Sequence, residues 1–387
     1  MSGTGTHRTA LYSRHVQLGA KLVDFHGWQM PIYYTSIIDE HKAVRHALGI
    51  FDVSHMGQVL VTGAGAQATL DRLMTNNIQA LEEGRACYTL MLDEAGGILD
   101  DLIIYRIGPE DYLIIVNCGN RASDVAWMQA HRQEQTSITD ISEGRSILAV
   151  QGPQAARVLE RLLDAQIMGL ARFRIAPMRT MSPEACIART GYTGSDGFEL
   201  FLPNAHALRV WDGVLADSKA VGGMAVGLGA RDTLRVEAGL RLYGTDIDTT
   251  TNPYEAELRW TVAMDKGGFI GRDALVKLQA QGLTRRFVGL EMAAGGPVPR
   301  TGCELLVQEG AGWRKVGAIT SGTFSPVLAK PLGMGYVEPA FGAPGTVLTV
   351  TVRSQRYAAT VVKLPFWKGE PKLSVAPPRA APTLGTL

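Results

Sequence analysis

Apolar residues recur at helical spacing over residues 36–48, where Ile37, Ile38, His41, Val44, Arg45 and Leu48 follow Ser36, a residue suited to capping a helix start. Gly49 marks its end. The texture then changes to short apolar runs that read as strands at 58–62, 87–92, 102–107 and 112–117, divided in part by Gly96-Gly97 and Gly108-Pro109. Helices at 66–74 and 121–133 interrupt the run. A similar alternation follows: a strand at 146–150, a helix starting at Pro153, strands at 186–189 and 198–202, and helices at 205–216, 230–238 and 272–279. Mixed helices and antiparallel meanders predict an α+β architecture.

After Gly282 the runs are short and β-like, at 286–291, 304–307, 315–320, 347–352 and 357–362, divided for the most part by Gly and Pro. Such spacing predicts a small β-barrel or sandwich, with a domain boundary near Gly282. Residues 376–387 are rich in Pro, Ala and Thr and read as a flexible tail.

At 387 residues and 46% hydrophobic, the chain can bury a large core in two or three domains. Its 38 Lys plus Arg against 37 Asp plus Glu leave a formal charge of +1, with no basic block of the kind that tracks a phosphate backbone. Nucleic acid is therefore not the expected partner. No apolar run approaches the ~20 residues of a membrane span. Residues 1–8 lack a signal core or an Arg-rich presequence, so the expected location is the cytoplasm. Cys87, Cys118, Cys186 and Cys303 are dispersed and read as buried reduced thiols. His41, His46 and His55 lack ligand spacing, and no metal is expected.

Three segments carry candidate chemistry. Asp100 and Asp101 follow a Gly-Gly turn and enter an apolar strand, and neighbouring strand residues point to opposite faces. Only one carboxylate can then face water, and the other must turn to the interior or a cleft; alternation alone leaves open which. In Arg189-Thr190-Gly191-Tyr192-Thr193-Gly194-Ser195-Asp196-Gly197-Phe198-Glu199, a tight turn would let Tyr192 stack on a planar ligand while Glu199 accepts two hydrogen bonds from a ring amine and amide. The alternative is a hairpin whose glycines supply positive φ. Gly227-Leu228-Gly229-Ala230-Arg231 opens a helix whose N-terminus, with Arg231, suits an anion, the alternative being an ordinary solvated first turn. Gly63-Ala64-Gly65-Ala66-Gln67-Ala68 imitates a dinucleotide fingerprint, but the following strands form a meander and not a βαβ unit.

Together with residues 19–31 (Gly-Ala-Lys-Leu-Val-Asp-Phe-His-Gly-Trp-Gln-Met-Pro) and Phe51-Asp52-Val53-Ser54-His55-Met56-Gly57, these segments resemble the glycine cleavage system T-protein (aminomethyltransferase) family from Thr9 to about Lys368. The resemblance implies a folate-binding body of two intertwined α+β subdomains, about 1–52 with 140–282 and 53–139, followed by a β-barrel domain at 283–375. It also implies transfer of the methylene carbon of S-aminomethyldihydrolipoyl H-protein to tetrahydrofolate, with release of ammonia. The implied co-substrate is tetrahydrofolate, with neither metal nor flavin, and the implied partner is the H-protein with its lipoyl arm.

Carried over residue by residue, Asp101 matches the essential acid, which can orient the nucleophile, accept a proton and steady a developing cation. Asp100 is then the partner facing the other way, a structural neighbour. Glu199 matches the pterin partner, Tyr192 and Trp260 the aromatic walls, and Arg231 a further polar contact. Met56, Tyr88 and Asn117 match cleft-lining positions. Lys368 stands where many relatives carry Arg toward the folate tail, keeping the charge and losing the fork. Trp260 heads a run, Trp260-Thr261-Val262-Ala263-Met264, that also reads as a buried strand, and His26 and His55 read as structural. Arg14, Lys21, Arg231, Arg235 and Arg241 are candidates for a basic rim facing the H-protein.

Two other readings compete. One is a folate-dependent demethylase of the same fold acting on a small methylated compound. The other is a non-catalytic folate-binding protein of iron-sulfur assembly, but its Lys-Gly-Cys-Tyr type motif does not occur here.

Overall fold

The computed structural model describes residues 6–163, 167 and 169–369; the tail expected at 376–387 lies outside them. Ser36 caps the helix Ile37–His46 as its position suggests, accepting the Asp39 N–H at 3.1 Å. Ahead of it stands a hairpin that periodicity did not reveal, Lys21–Phe25 with Trp28–Tyr33. Its two-residue turn is His26-Gly27, both with positive φ, and Asp24 accepts the Gly27 N–H.

Two antiparallel sheets form the body. One orders Ile175–Pro177, Cys186–Ala188, Gly197–Pro203, Arg145–Gln151 and Gly49–Asp52, with Met224–Ala225 parallel at its edge. The other orders Ala86–Leu92, Ile98–Arg106, Asp111–Val116, Gly57–Thr62 and Ser137–Asp140. They pack face to face through a shared core in which Phe51, Ile147, Ala149 and Phe201 of the first meet Ala86, Tyr105 and Leu113 of the second. The outer face of the second sheet lies under helices Ala66–Leu73 and Arg121–Ala130, with Leu102, Ile104, Leu70 and Met128 buried between. That sheet is therefore covered on both sides, which decides the fate of its acids.

The C-terminal strands close into a six-stranded barrel around Leu290, Leu305, Val350 and Val361. The observed architecture is thus the expected α+β body followed by a barrel. Strand Lys330–Val337 was not foreseen, because Gly333 and Gly335 lower its strand propensity. Glycine is needed at Gly335 because a Cβ there would run into the Ala318 carbonyl of the neighbouring strand. The dinucleotide-like segment is structural: strand Gly57–Thr62 before it pairs antiparallel on both sides, and Gly63 takes φ +105°. No helix among the described residues is long and apolar enough to cross a membrane.

Candidate active site

Strand Ile98–Arg106 sends Asp101 and Ile103 toward the space between the sheets, and Asp100, Leu102 and Ile104 toward the helical layer. The expectation that one carboxylate faces water is corrected here. Asp100 is 0% exposed beneath helix Arg121–Ala130, and Asp101 is half-buried at the floor of a cleft of about 1070 Å3. The helical layer closes the side that Asp100 faces, and the side that Asp101 faces opens only into the cleft.

Asp101 pairs across the ladder with Leu90, so Tyr88, two residues along, stands diagonally beside it. The Tyr88 hydroxyl donates to Asp101 Oδ2 at 3.0 Å, and Asn117 Nδ2 donates to Oδ1 at 2.9 Å. Burial, then the adjacent Asp100 charge, push the Asp101 carboxyl up to about 7, against the lowering effect of those two hydrogen bonds. Asp101 can therefore both hold and release a proton near neutrality.

Opposite lies the glycine-rich turn. Its glycines are needed for close approach more than for φ: only Gly194 has positive φ, whereas a side chain on Gly191 or Gly197 would strike Gln151. Gln151 Nε2 donates to the Thr190 carbonyl at 3.1 Å and Thr193 donates to Gln151 Oε1 at 2.8 Å, so the turn is wrapped round this one side chain. Glu199, on strand Gly197–Pro203, is fixed through one oxygen: Oε2 accepts from Thr190 at 2.6 Å and from Tyr105 at 3.3 Å. Its Oε1 has no partner among the described residues.

Tyr192 anchors its hydroxyl on the Arg241 carbonyl, and the Arg231 guanidinium lies 4.7 Å from the centre of its ring. Burial lowers the Arg231 pKa while the Glu199 charge opposes that drift. The helix Leu228–Glu237 that carries Arg231 does not present its N-terminus to an external anion as expected. The Gly227 N–H donates to Glu40 Oε2 at 2.8 Å, and Gly227 itself is pressed against Ile32. Glu40, buried and holding the Tyr34 and Thr35 N–H groups on its other oxygen, is the anion there.

Trp260 is not in a buried strand. It sits in the turn Arg259–Thr261, 67% exposed, with its ring 5.6 Å from that of Tyr88 and 26° from parallel. Met56, Tyr88, Asp101, Asn117, Tyr192, Glu199, Arg231 and Trp260 all line one cleft, whereas Lys368 is exposed and outside its lining.

Two family models match this chain: the GCVT N-terminal domain over residues 11–266 and the glycine cleavage T-protein C-terminal barrel domain over residues 285–368. The chain belongs to the glycine cleavage T-protein family. It is 42% identical over 359 residues to an aminomethyltransferase of Halothermothrix orenii, covering 93% of this chain and 99% of that one. It is 44% identical over 363 residues to an aminomethyltransferase of Shouchella clausii, covering 93% and 98%. Among solved structures, the glycine cleavage system aminomethyltransferase T from Bartonella henselae superposes with a TM-score of 0.87 at 35% identity, covering 94% of this chain and 98% of that one.

Within this T-protein frame, several cleft residues were missed or misread from sequence. His55 lines the cleft, buried, with Nδ1 unpartnered among the described residues, and burial pushes its imidazole down to about 3, so it is neutral there. His26, at the hairpin turn, also lines it. Arg235 and Arg241 are not rim cations: Arg235 is held by Asp232 and Asp246, and Arg241 by the Ala256 and Gly239 carbonyls. The four cysteines are free but half-buried. Positive φ at His26 and Gly27 was a signal available in the His-Gly pair.

Proposed function

We propose that the protein is an aminomethyltransferase that moves the methylene carbon of S-aminomethyldihydrolipoyl H-protein to tetrahydrofolate, releasing ammonia and giving 5,10-methylenetetrahydrofolate. The observation that carries this reading is Asp101, an acid poised near neutrality at the floor of an aromatic-walled cleft, with Glu199 and Arg231 also in that cleft. The cleft suits a folate. Its volume of about 1070 Å3 is that of a large ligand pocket, and Glu199 keeps one oxygen without a protein partner, ready for ring N–H donors. Bound tetrahydrofolate supplies the nitrogens that receive the carbon.

The chain's own residues do the rest. Glu199 fixes the pterin edge, and Tyr192 and Trp260 flank flat rings. Met56 fills the apolar side. Asp101, aimed by Tyr88 and Asn117, takes the proton lost by the attacking amine and steadies positive charge on the transferred carbon. Arg231 supplies a fork of donors, and Lys368, exposed beyond Trp367, meets the acidic tail. The work is done in the cytoplasm beside the H-protein.

The test is a turnover assay with aminomethyl-loaded H-protein and tetrahydrofolate, following ammonia and methylenetetrahydrofolate together. Equal amounts of both products are expected. No product from loaded H-protein, with transfer instead from a methylated glycine or sulfonium compound, would replace this reading by the demethylase.

A further inference from the structure

Behind Asp101, on the far face of its strand, three more polar side chains meet the buried Asp100. Asp100 is 0% exposed and accepts from Asn117 N at 3.0 Å, Asn117 Nδ2 at 2.8 Å and Asn120 Nδ2 at 2.8 Å. The fourth contact comes from Asp124, one turn along helix Arg121–Ala130 and 2% exposed, hydrogen-bonded to Asp100. Asp124 Oδ2 accepts no hydrogen bond from any described residue.

Two buried carboxylates in contact cannot both be charged. An ionised Asp124 would press one anion on another and leave Oδ2 buried without a donor, a cost of several kcal/mol. A protonated Asp124 removes the first penalty and lessens the second, because its O–H becomes the donor to Asp100 and its remaining carbonyl oxygen carries no charge. Three amide donors select Asp100, and not Asp124, as the anion. Burial and the Asp100 charge accordingly push the Asp124 carboxyl up to about 10.

We propose that Asp124 is a positioning residue: as a neutral acid it donates to Asp100, and so keeps a fixed negative charge directly behind Asp101. The same Asn117 Nδ2 bonds both Asp100 and Asp101, so the two carboxylates are held in one frame. The proposal rests on the role given to Asp101 above. That role needs an acid that changes protonation near pH 7, which an ordinary aspartate at about 3.9 does not. The titratable groups facing this cluster are Tyr88 from the neighbouring strand, Tyr192 from the glycine-rich turn and Tyr243 from the loop after the helix Leu228–Glu237. Burial, with these acids nearby, raises the pKa of each, so they stay neutral.

The test reads protonation in the resting full-length protein and needs no turnover. Carboxyl carbon NMR of aspartate-labelled protein, with resonances assigned by their loss in D101N, D100N and D124N, gives the state of each acid. Asp124 is expected to show a protonated carboxyl signal that does not titrate between pH 6 and 8, with Asp101 changing near 7. D100N removes the charge and moves the Asp101 midpoint down toward the ordinary aspartate range. D124A removes the donor, so Asp100 takes up a proton and the Asp101 midpoint falls as well, whereas D124N keeps an N–H donor and restores it. An ionised Asp124 at pH 7, or an Asp101 midpoint unmoved by D100N, would overturn the proposal. Failure of aminomethyl transfer with these titrations intact would instead remove the functional reading alone.

Discussion

The Tyr88 hydroxyl and the Asp101 carboxylate meet across neighbouring strands, two residues out of register, at 3.0 Å. This bond lowers the Asp101 pKa against burial and the Asp100 charge. Tyr88→Phe removes it, so Asp101 moves further up from about 7 and holds its proton to higher pH. The rising limb of kcat against pH then shifts to the alkaline side. At pH 7 the rate falls about tenfold, the effect of losing about 1.4 kcal/mol from a charge-assisted hydrogen bond. A pH profile of the variant checks both the direction and the size.

Glu199→Gln retains an acceptor for Thr190 and Tyr105 but replaces the charge offered to the ring donors. Tetrahydrofolate affinity should fall about tenfold to a hundredfold, from loss of a charge-assisted pair, with the melting temperature nearly unchanged. Titration calorimetry and a thermal melt separate the two effects. Unaltered affinity removes Glu199 from the pterin edge.

Trp260 at 67% exposure distinguishes a ligand wall from a core residue. A core tryptophan cut to alanine costs about 3–5 kcal/mol, whereas a largely exposed one costs within about 0.5. Trp260→Ala is expected to leave chemical denaturation almost unmoved while weakening tetrahydrofolate binding. The Tyr88 ring loses its stacked neighbour in the same variant.

The barrel is tied to the body through a buried ion pair. Arg45 donates to Glu237 Oε2 at 3.0 Å, to the Thr193 carbonyl and Ser195 at 2.7 Å each, and lies 3.8 Å from the centre of the Trp367 ring. Glu237 also accepts from barrel residue Ser325 and lies 3.0 Å from His41 Nε2. Burial alone would raise the Glu237 pKa; its contacts with His41, Arg45 and Ser325 outweigh that and lower it. A depressed carboxyl stabilises the fold above its unfolded value of 4.5 and loses that contribution as pH falls through the lower, folded value. Arg45→Met leaves Glu237 buried and short of its guanidinium partner, at a cost of about 3–5 kcal/mol near pH 7. Urea unfolding from pH 7 to pH 3 should show the deficit shrinking as Glu237 protonates.

Much of this was legible in the chain. The helix Ile37–His46 announces itself through Ser36 and a regular apolar stripe, and the Gly96-Gly97 turn before Asp100 and Asp101 marks a strand bearing acids. What stayed hidden depends on what covers each element. Asp100 could be assigned a solvent side only because nothing in its own strand shows that helix Arg121–Ala130 lies on it. Asp124 belongs to no motif in the sequence, and its burial against Asp100 follows only from how its helix is docked. Trp260 is misleading for the opposite reason, since an apolar run beside it imitates a buried strand although the ring stands open to the cleft. Arg235 and Arg241 look like surface cations in sequence, yet loop carbonyls and Asp246 consume their donors.

The central claim is that Asp101 performs the proton transfer in this cleft. Asp101→Asn keeps the shape and one donor-acceptor pattern but cannot take a proton at neutral pH. With loaded H-protein and saturating tetrahydrofolate, its turnover is expected to fall at least about a hundredfold, the lower end of what a positioned base supplies, while tetrahydrofolate binding persists. Turnover equal to that of the parent protein would contradict the account.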